Sequence, residues 1–219
     1  MKKRVFVIAL VVCLVAMLGY GTLAYFQASG NLTNFFGVAG IDDPTDSDAT
    51  IDPETLFSIK LDETDIDNPG QRTEDGNVYA GIMPGDTLVK DPTVTNTGKY
   101  AAWIRVKVTV TDAADWTAAC QKHGITDLST IFNGYVDADW YRDPAEDVLK
   151  DNALTYTYYY KAPVDPNGAV KLFDSVTIPT ELDVNDMASL ATWQLQITGE
   201  AIQAANTGAT AQEAFGLWE

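Results

Sequence analysis

Between residues 100 and 111 the chain alternates with period two. Ile104, Val106, Val108 and Val110 fall on one face, and Arg105, Lys107 and Thr109 on the other. Successive side chains of a strand point to opposite sides of a sheet, so this pattern predicts a half-buried strand. Trp103 lies on the second face, where an aromatic ring covers the rim of a sheet. The same period returns at 153–161, with Leu154, Tyr156, Tyr158 and Tyr160 on one face and Tyr159 on the other. A third long strand is predicted at 192–202, where Trp193, Leu195, Ile197 and Ala201 alternate against Gln194, Gln196, Thr198 and Glu200.

Shorter strands fill the intervals. Phe57, Ile59 and Leu61 share a face in 55–61, and further strands are expected at 77–83, 87–95 and 169–178. Pro92 has no N–H to give to a ladder and marks its strand as an edge or a bulge. Turn signals separate them: Pro84-Gly85-Asp86, Asn96-Thr97-Gly98 and Asn167-Gly168. The expected fold class is all-β, a jelly-roll-like antiparallel β-sandwich with one or two short helices in connections.

Those helices are placed at 112–123 and after Thr210. In the first, Asp112 is the expected cap, Asp115 sits in the first turn and Gly124 stops the helix. Trp116, Ala119 and Cys120 then share one face, which directs Cys120 toward the core, and His123 sits at the C-terminal end as a capping residue. In the second, Thr210 and Glu213 form a capping box. Residues 124–152 read as irregular and 179–190 as a connecting segment.

The N-terminus sets the destination. Lys2, Lys3 and Arg4 precede an unbroken apolar run at 5–18, and small residues surround Thr22-Leu23-Ala24. This is the pattern of a secretory signal peptide over 1–24, cleaved between Ala24 and Tyr25 by signal peptidase. The alternative is an uncleaved anchor, because no charge interrupts 5–26 and about 20 apolar residues cross a bilayer. Residues 25–40 form a separate N-terminal segment. Leu32, Phe36 and Val38 share one parity, Phe35 takes the other, and Gly30 and Gly37 weaken the strand. Such a segment is either the first strand of its own sheet or a donor strand offered to the next molecule.

The remainder, 41–219, is expected to be one sandwich domain with acidic loops at 41–55 and 62–77. In the second loop Asp62, Asp65 and Asp67 are the candidate ligands of a calcium ion, with Gly70 allowing a sharp bend. Their spacing is not that of an EF-hand, and a solvated loop is the plainer reading. No other metal site or cofactor is expected.

The net charge is −17, and loss of the basic leader makes it more negative. Nucleic acid, which is held by clustered Lys and Arg, is excluded as a partner. Cys13 leaves with the leader, so Cys120 is alone and no intramolecular disulfide forms. Catalytic motifs are missing: one histidine cannot supply a two-histidine zinc site, and neither a Gly-x-Ser-x-Gly elbow nor a phosphate-binding glycine loop occurs. A Cys120/His123 pair would share one helix face, a poor geometry for converging on a substrate atom. The expectation is that the chain is not an enzyme.

Three segments resemble the TasA/camelysin family of secreted Gram-positive proteins. Residues 21–41, GTLAYFQASGNLTNFFGVAGI, are similar to its signal-peptide junction, where a dedicated signal peptidase acts. Residues 83–108, MPGDTLVKDPTVTNTGKYAAWIRVKV, and 193–215, WQLQITGEAIQAANTGATAQEAF, are also similar. The resemblance implies an extracellular β-sandwich that polymerises into biofilm-matrix fibres at the cell surface, by donor-strand exchange through Leu32, Phe35, Phe36 and Val38. An accessory matrix protein is a further candidate partner. Camelysin-type relatives have been described as metalloproteases, but no residue here matches such a site. Beside this stands a monomeric cell-surface binding module, contacting glycan or calcium through the Tyr158/Tyr160 stripe or the 62–68 loop, and, third, a metalloprotease.

Overall fold

The computed structural model describes residues 27–31, 58–63, 70–73, 76–190 and 192–217. Its larger sheet contains β1 (Gln27–Asn31), β7 (Ala102–Val110), β10 (Val148–Lys150), β11 (Ala153–Tyr160) and β14 (Leu195–Gln203), in the order β1-β14-β7-β11-β10. A short β9 (Trp140–Tyr141) pairs with the other end of β11. Every pairing is antiparallel. The three strands with the clearest alternation thus lie side by side at the centre.

A second layer is built from two ladders. One holds β12 (Ala169–Lys171), β6 (Thr93–Asn96) and β2 (Ile59–Asp62) in that order; the other holds β5 (Thr87–Val89), β13 (Ser175–Thr177) and β8 (Phe132–Asn133). They keep one register, because Thr93 lies opposite Lys171 and Val89 opposite Ser175. Across the gap the Leu172 N–H donates to the Pro92 carbonyl at 3.1 Å, and the Lys90 N–H to the Asp174 carbonyl at 3.4 Å. Pro92 therefore interrupts the hydrogen bonding of an interior pair without adding a bulge, and the expected single strand at 169–178 is divided at the same place. A separate hairpin, β3 (Gly70–Thr73) with β4 (Gly76–Tyr79), occupies part of what the sequence presents as an acidic loop at 62–77.

The core lies between the layers. Ile104, Val106, Val108 and Val110 of β7 are buried, and Ile59, Leu61 and Val94 meet them from the second layer. The tyrosine stripe of β11 also turns inward. Tyr156 and Tyr158 are buried, and the Tyr156 hydroxyl has no hydrogen-bond partner. Burial pushes both phenols well above the ordinary range.

Among the described residues, three short α-helices decorate this frame. In α1 (Ala113–Lys122), Trp116, Ala119 and Cys120 face the core as the i, i+3, i+4 spacing requires. The expected cap is corrected: Asp112 adopts φ 51° and its side chain caps nothing. Asn152 takes that role from across the fold, its Oδ1 accepting from Ala114 N–H at 2.8 Å and its carbonyl from Ala113 N–H at 2.9 Å. Helix α2 (Val184–Ser189) lies inside the segment read as a connection, and Asp183 and Asp186 form its capping box. Helix α3 (Ala211–Gly216) starts at Thr210, whose hydroxyl accepts from the Glu213 N–H, while Glu213 reaches back to the Ala209 N–H instead of closing a box on Thr210.

Helix α3 covers the outer face of the larger sheet. Phe215, Ala211 and Ala214 pack on Trp103, Tyr159 and Ile202, a small second core separate from the first. Trp103 is therefore not a rim residue but the floor under a helix. The stretch 124–152, irregular by composition, carries β8, β9 and β10 and two 3-10 turns, Leu128–Ile131 and Pro144–Glu146.

Candidate functional site

Two edges bound the larger sheet, and they are built differently. At one edge the pairing partners of β11 fall out of step: β9 and β10 both pair with it, and the excess residues leave as the Pro144–Glu146 turn. Val148 and Leu149 are exposed there. A short strand broken by a proline-bearing turn is a poor template for another chain.

At the other edge lies β1, the N-terminal strand. It pairs with β14 over its whole length, from Gln27 opposite Ile202 to Asn31 opposite Thr198. Gly30 stands opposite Gly199. A Cβ on Gly199 would lie 3.3 Å from Val94 Cγ2 and 3.5 Å from Ile59 Cδ1, so the second layer approaches the ladder closely here. The next residue, Glu200, stands between Ser29 of β1 and Arg105 of β7. Its carboxylate accepts from Arg105 Nε at 2.5 Å and from Lys107 Nζ at 3.1 Å. The Arg105 guanidinium lies 4.3 Å from the centre of the Phe215 ring, and helix α3 thus shields the ion pair from water.

A cavity of about 440 Å³ opens on the opposite side of the fold, where Tyr158 and Tyr135 meet Phe132, Phe173, Asn133 and Arg142. Arg142 is held by Asp147 and by the Ser129 hydroxyl at 3.1 Å, with its guanidinium over the Tyr156 ring. Gly134, at φ 84°, passes so close to Asp174 that a Cβ there would collide with its carboxylate. Aromatic rings with hydrogen-bonding groups at the rim suit a polar ring-shaped ligand.

The single histidine serves structure. His123 Nε2 lies 2.9 Å from Asp186 Oδ2, so the ring joins α1 to α2 and is not directed to Cys120. Cys120 is buried and its thiol is pushed up, by burial first and then by Asp186 and Glu181. Hydrogen bonds from Lys122, His123 and the Asp183 N–H hold the Asp186 carboxyl far below the usual carboxylate range. A depressed carboxylate stabilises the fold above its unfolded pKa, about 3.9 for Asp, and that contribution is lost as pH falls toward the folded value. Asp186→Asn is therefore expected to lower the melting temperature at neutral pH and to flatten its fall below about pH 4, measured by thermal denaturation across pH.

The residues singled out in the sequence distribute as follows. Ala24, Tyr25, Leu32, Phe35, Phe36, Val38, Asp65 and Asp67 lie outside the described residues. Asp62 ends β2, and its oxygens accept from Lys60 Nζ and from the Glu63 N–H. Among the described residues no group of three His, Cys, Asp or Glu side chains is arranged to hold a metal ion. Tyr158 lines the cavity, whereas Tyr160 packs on Trp140 with ring centres 5.1 Å apart. What sequence reasoning missed is the buried charge. Leu88 and Lys90 share a parity, as do Ile59, Leu61 and Glu63, and extending each alternation by one step would have placed both charges inside. No family model, curated protein or solved structure matches this chain.

Proposed function

We propose that this chain is a secreted structural subunit, a jelly-roll-like sandwich of the TasA/camelysin type, that polymerises into extracellular fibres by exchange of its N-terminal strand. The observation that carries the reading is the β1–β14 ladder: an N-terminal strand supplies one whole edge of the larger sheet through backbone pairing. Backbone hydrogen bonds are indifferent to which molecule provides the strand. Residues 32–58, which join β1 to β2, have a contour of up to roughly 90 Å, enough to span a domain of this size and reach a neighbour. Passing β1 to the next molecule is a heterologous, non-closing contact, which gives filaments rather than rings. Release of the N-terminus by cleavage at Ala24–Tyr25 would switch exchange on.

Asn31→Cys and Thr198→Cys test the exchange directly. Their Cα atoms face each other in the ladder, within the range a disulfide bridges. Mixing the two single variants under oxidising conditions is expected to give intermolecular dimers, since native Cys120 is buried. Absence of such dimers, with a ready intramolecular disulfide in the double variant, would mean that β1 stays at home.

A second reading rests on the cavity around Tyr158. Its aromatic walls and polar rim support a surface module that binds a glycan ring. A binding module of this kind would act as a monomer.

A further inference from the structure

Three polar side chains, two of them buried and Asn77 half-buried, come together where the β3–β4 hairpin meets the second layer. Glu63, just beyond β2, has a fully buried side chain, and that of Lys90, just beyond β5, is 9% exposed. Lys90 Nζ donates to both oxygens of Glu63, at 2.6 Å to Oε1 and 2.9 Å to Oε2. Asn77, in β4, donates through Nδ2 to the same Oε2 at 3.0 Å. An amine and a primary amide therefore share one carboxylate oxygen. The Asn77 Oδ1 atom is buried with no hydrogen-bond partner. Turning the amide over would not satisfy it, because the oxygen would then face the carboxylate.

A buried lysine paired with glutamate needs no explanation beyond charge neutralisation, but the amide does. A structural asparagine at a buried ion pair uses both ends, and an orphaned carbonyl is disfavoured. This one leaves its carbonyl oxygen buried and unpartnered while its nitrogen and the Lys90 amine both donate to Oε2 of Glu63, an acid–base group that gathers the two nitrogens around one atom. We infer that Lys90 and Asn77 form an intramolecular isopeptide bond, with Glu63 as the proton carrier.

The chemistry balances without a cofactor. Glu63 takes one proton from the Lys90 ammonium, leaving a neutral amine and a carboxylic acid. Nζ attacks Asn77 Cγ, forming a C–N bond and a tetrahedral centre. Glu63 gives its proton to Nδ2 and accepts one from the former lysine nitrogen. The Cγ–Nδ2 bond then breaks, ammonia departs, and it takes the proton from Glu63 to leave as ammonium. The products are a secondary amide, one ammonium ion and Glu63 in its starting state. Held by the fold, the reactants meet at high effective concentration, which is how such an unactivated amide is made to react. Water is kept from competing because the glutamate side chain is sealed. The bond would staple the hairpin strand to the sheet, where the described residues hold no disulfide to do so.

Intact-mass spectrometry of the purified full chain tests this. The wild-type protein is expected to weigh about 17 Da less than its sequence requires, the mass of one ammonia. Tryptic digestion should leave Lys90 uncut and yield a branched peptide joining it to Asn77. Lys90→Arg and Glu63→Gln should each restore the full mass and lower the melting temperature. A folded wild-type protein at full sequence mass would overturn the proposal, whatever the variants do. So would a loss of ammonia that persists in Lys90→Arg, since it would arise from another asparagine or glutamine. Conversion of Asn77 to aspartate would also overturn it, by showing that water and not Lys90 reaches the carbonyl.

Discussion

A mature chain beginning at Tyr25 is expected to assemble into filaments visible by negative-stain electron microscopy, and a chain beginning at Gly40 to remain monomeric. The shorter chain lacks β1 entirely, so β14 keeps its pairing with β7 but loses its partner on the other side. It has a vacant edge and nothing to donate. Filament yield should fall from most of the protein to none, because every link in the polymer uses the same ladder. A synthetic peptide of residues 25–39 added to the shorter chain should bind and raise its melting temperature, since it restores the missing edge without joining two molecules. Filaments from the shorter chain would sink the exchange mechanism. Monomers from both chains, with no response to added peptide, would move the reading to the surface module, and glycans and calcium would then be titrated against the Tyr158 cavity.

The parts of this fold legible in sequence are those where one physical rule acts alone. The valines of β7 alternate because one face of that strand meets the core and the other does not, and they occupy the central position in the sheet. Trp116, Ala119 and Cys120 face inward as helical spacing requires. Where a distant residue overrides a local rule, the sequence misleads. Asp112 has the identity of a cap, yet Asn152 caps the helix and Asp112 accepts instead from the Thr192 hydroxyl at 3.0 Å. Helix α2 is too short for periodicity to register, and its only signal is the Asp183–Asp186 box. Alternation places Tyr156 on its stripe, but nothing local announces that Arg142, from another part of the chain, lies over its ring. The proposed assembly edge is legible by position alone: an N-terminal segment broken by Gly30 lands opposite Gly199, and neither glycine announces the other.

Glu200→Ala is expected to be among the most damaging single changes in the molecule. Glu200 and Arg105 are both buried, and α3 places Phe215 over the guanidinium, so removing the carboxylate leaves a cation with little water to turn to. Breaking a buried pair by deleting one partner costs about 3–5 kcal/mol, against up to about 1 kcal/mol for an exposed one. In a domain of this size that corresponds to a fall of roughly 10 °C in melting temperature. The partner Lys107, one-third exposed, can turn its ammonium to solvent and adds little to the loss. The double change Arg105→Met with Glu200→Leu should recover most of the stability, because it removes both charges and keeps the volume. That recovery separates two roles for the pair. If the double variant is stable but no longer exchanges β1, the ion pair, which stands beside Ser29 in the ladder, shapes the edge that receives the strand. If it is stable and still exchanges, the pair serves only the packing of α3 on the sheet. A loss for Glu200→Ala no larger than that of an exposed pair would show that α3 opens readily enough for water to reach Arg105.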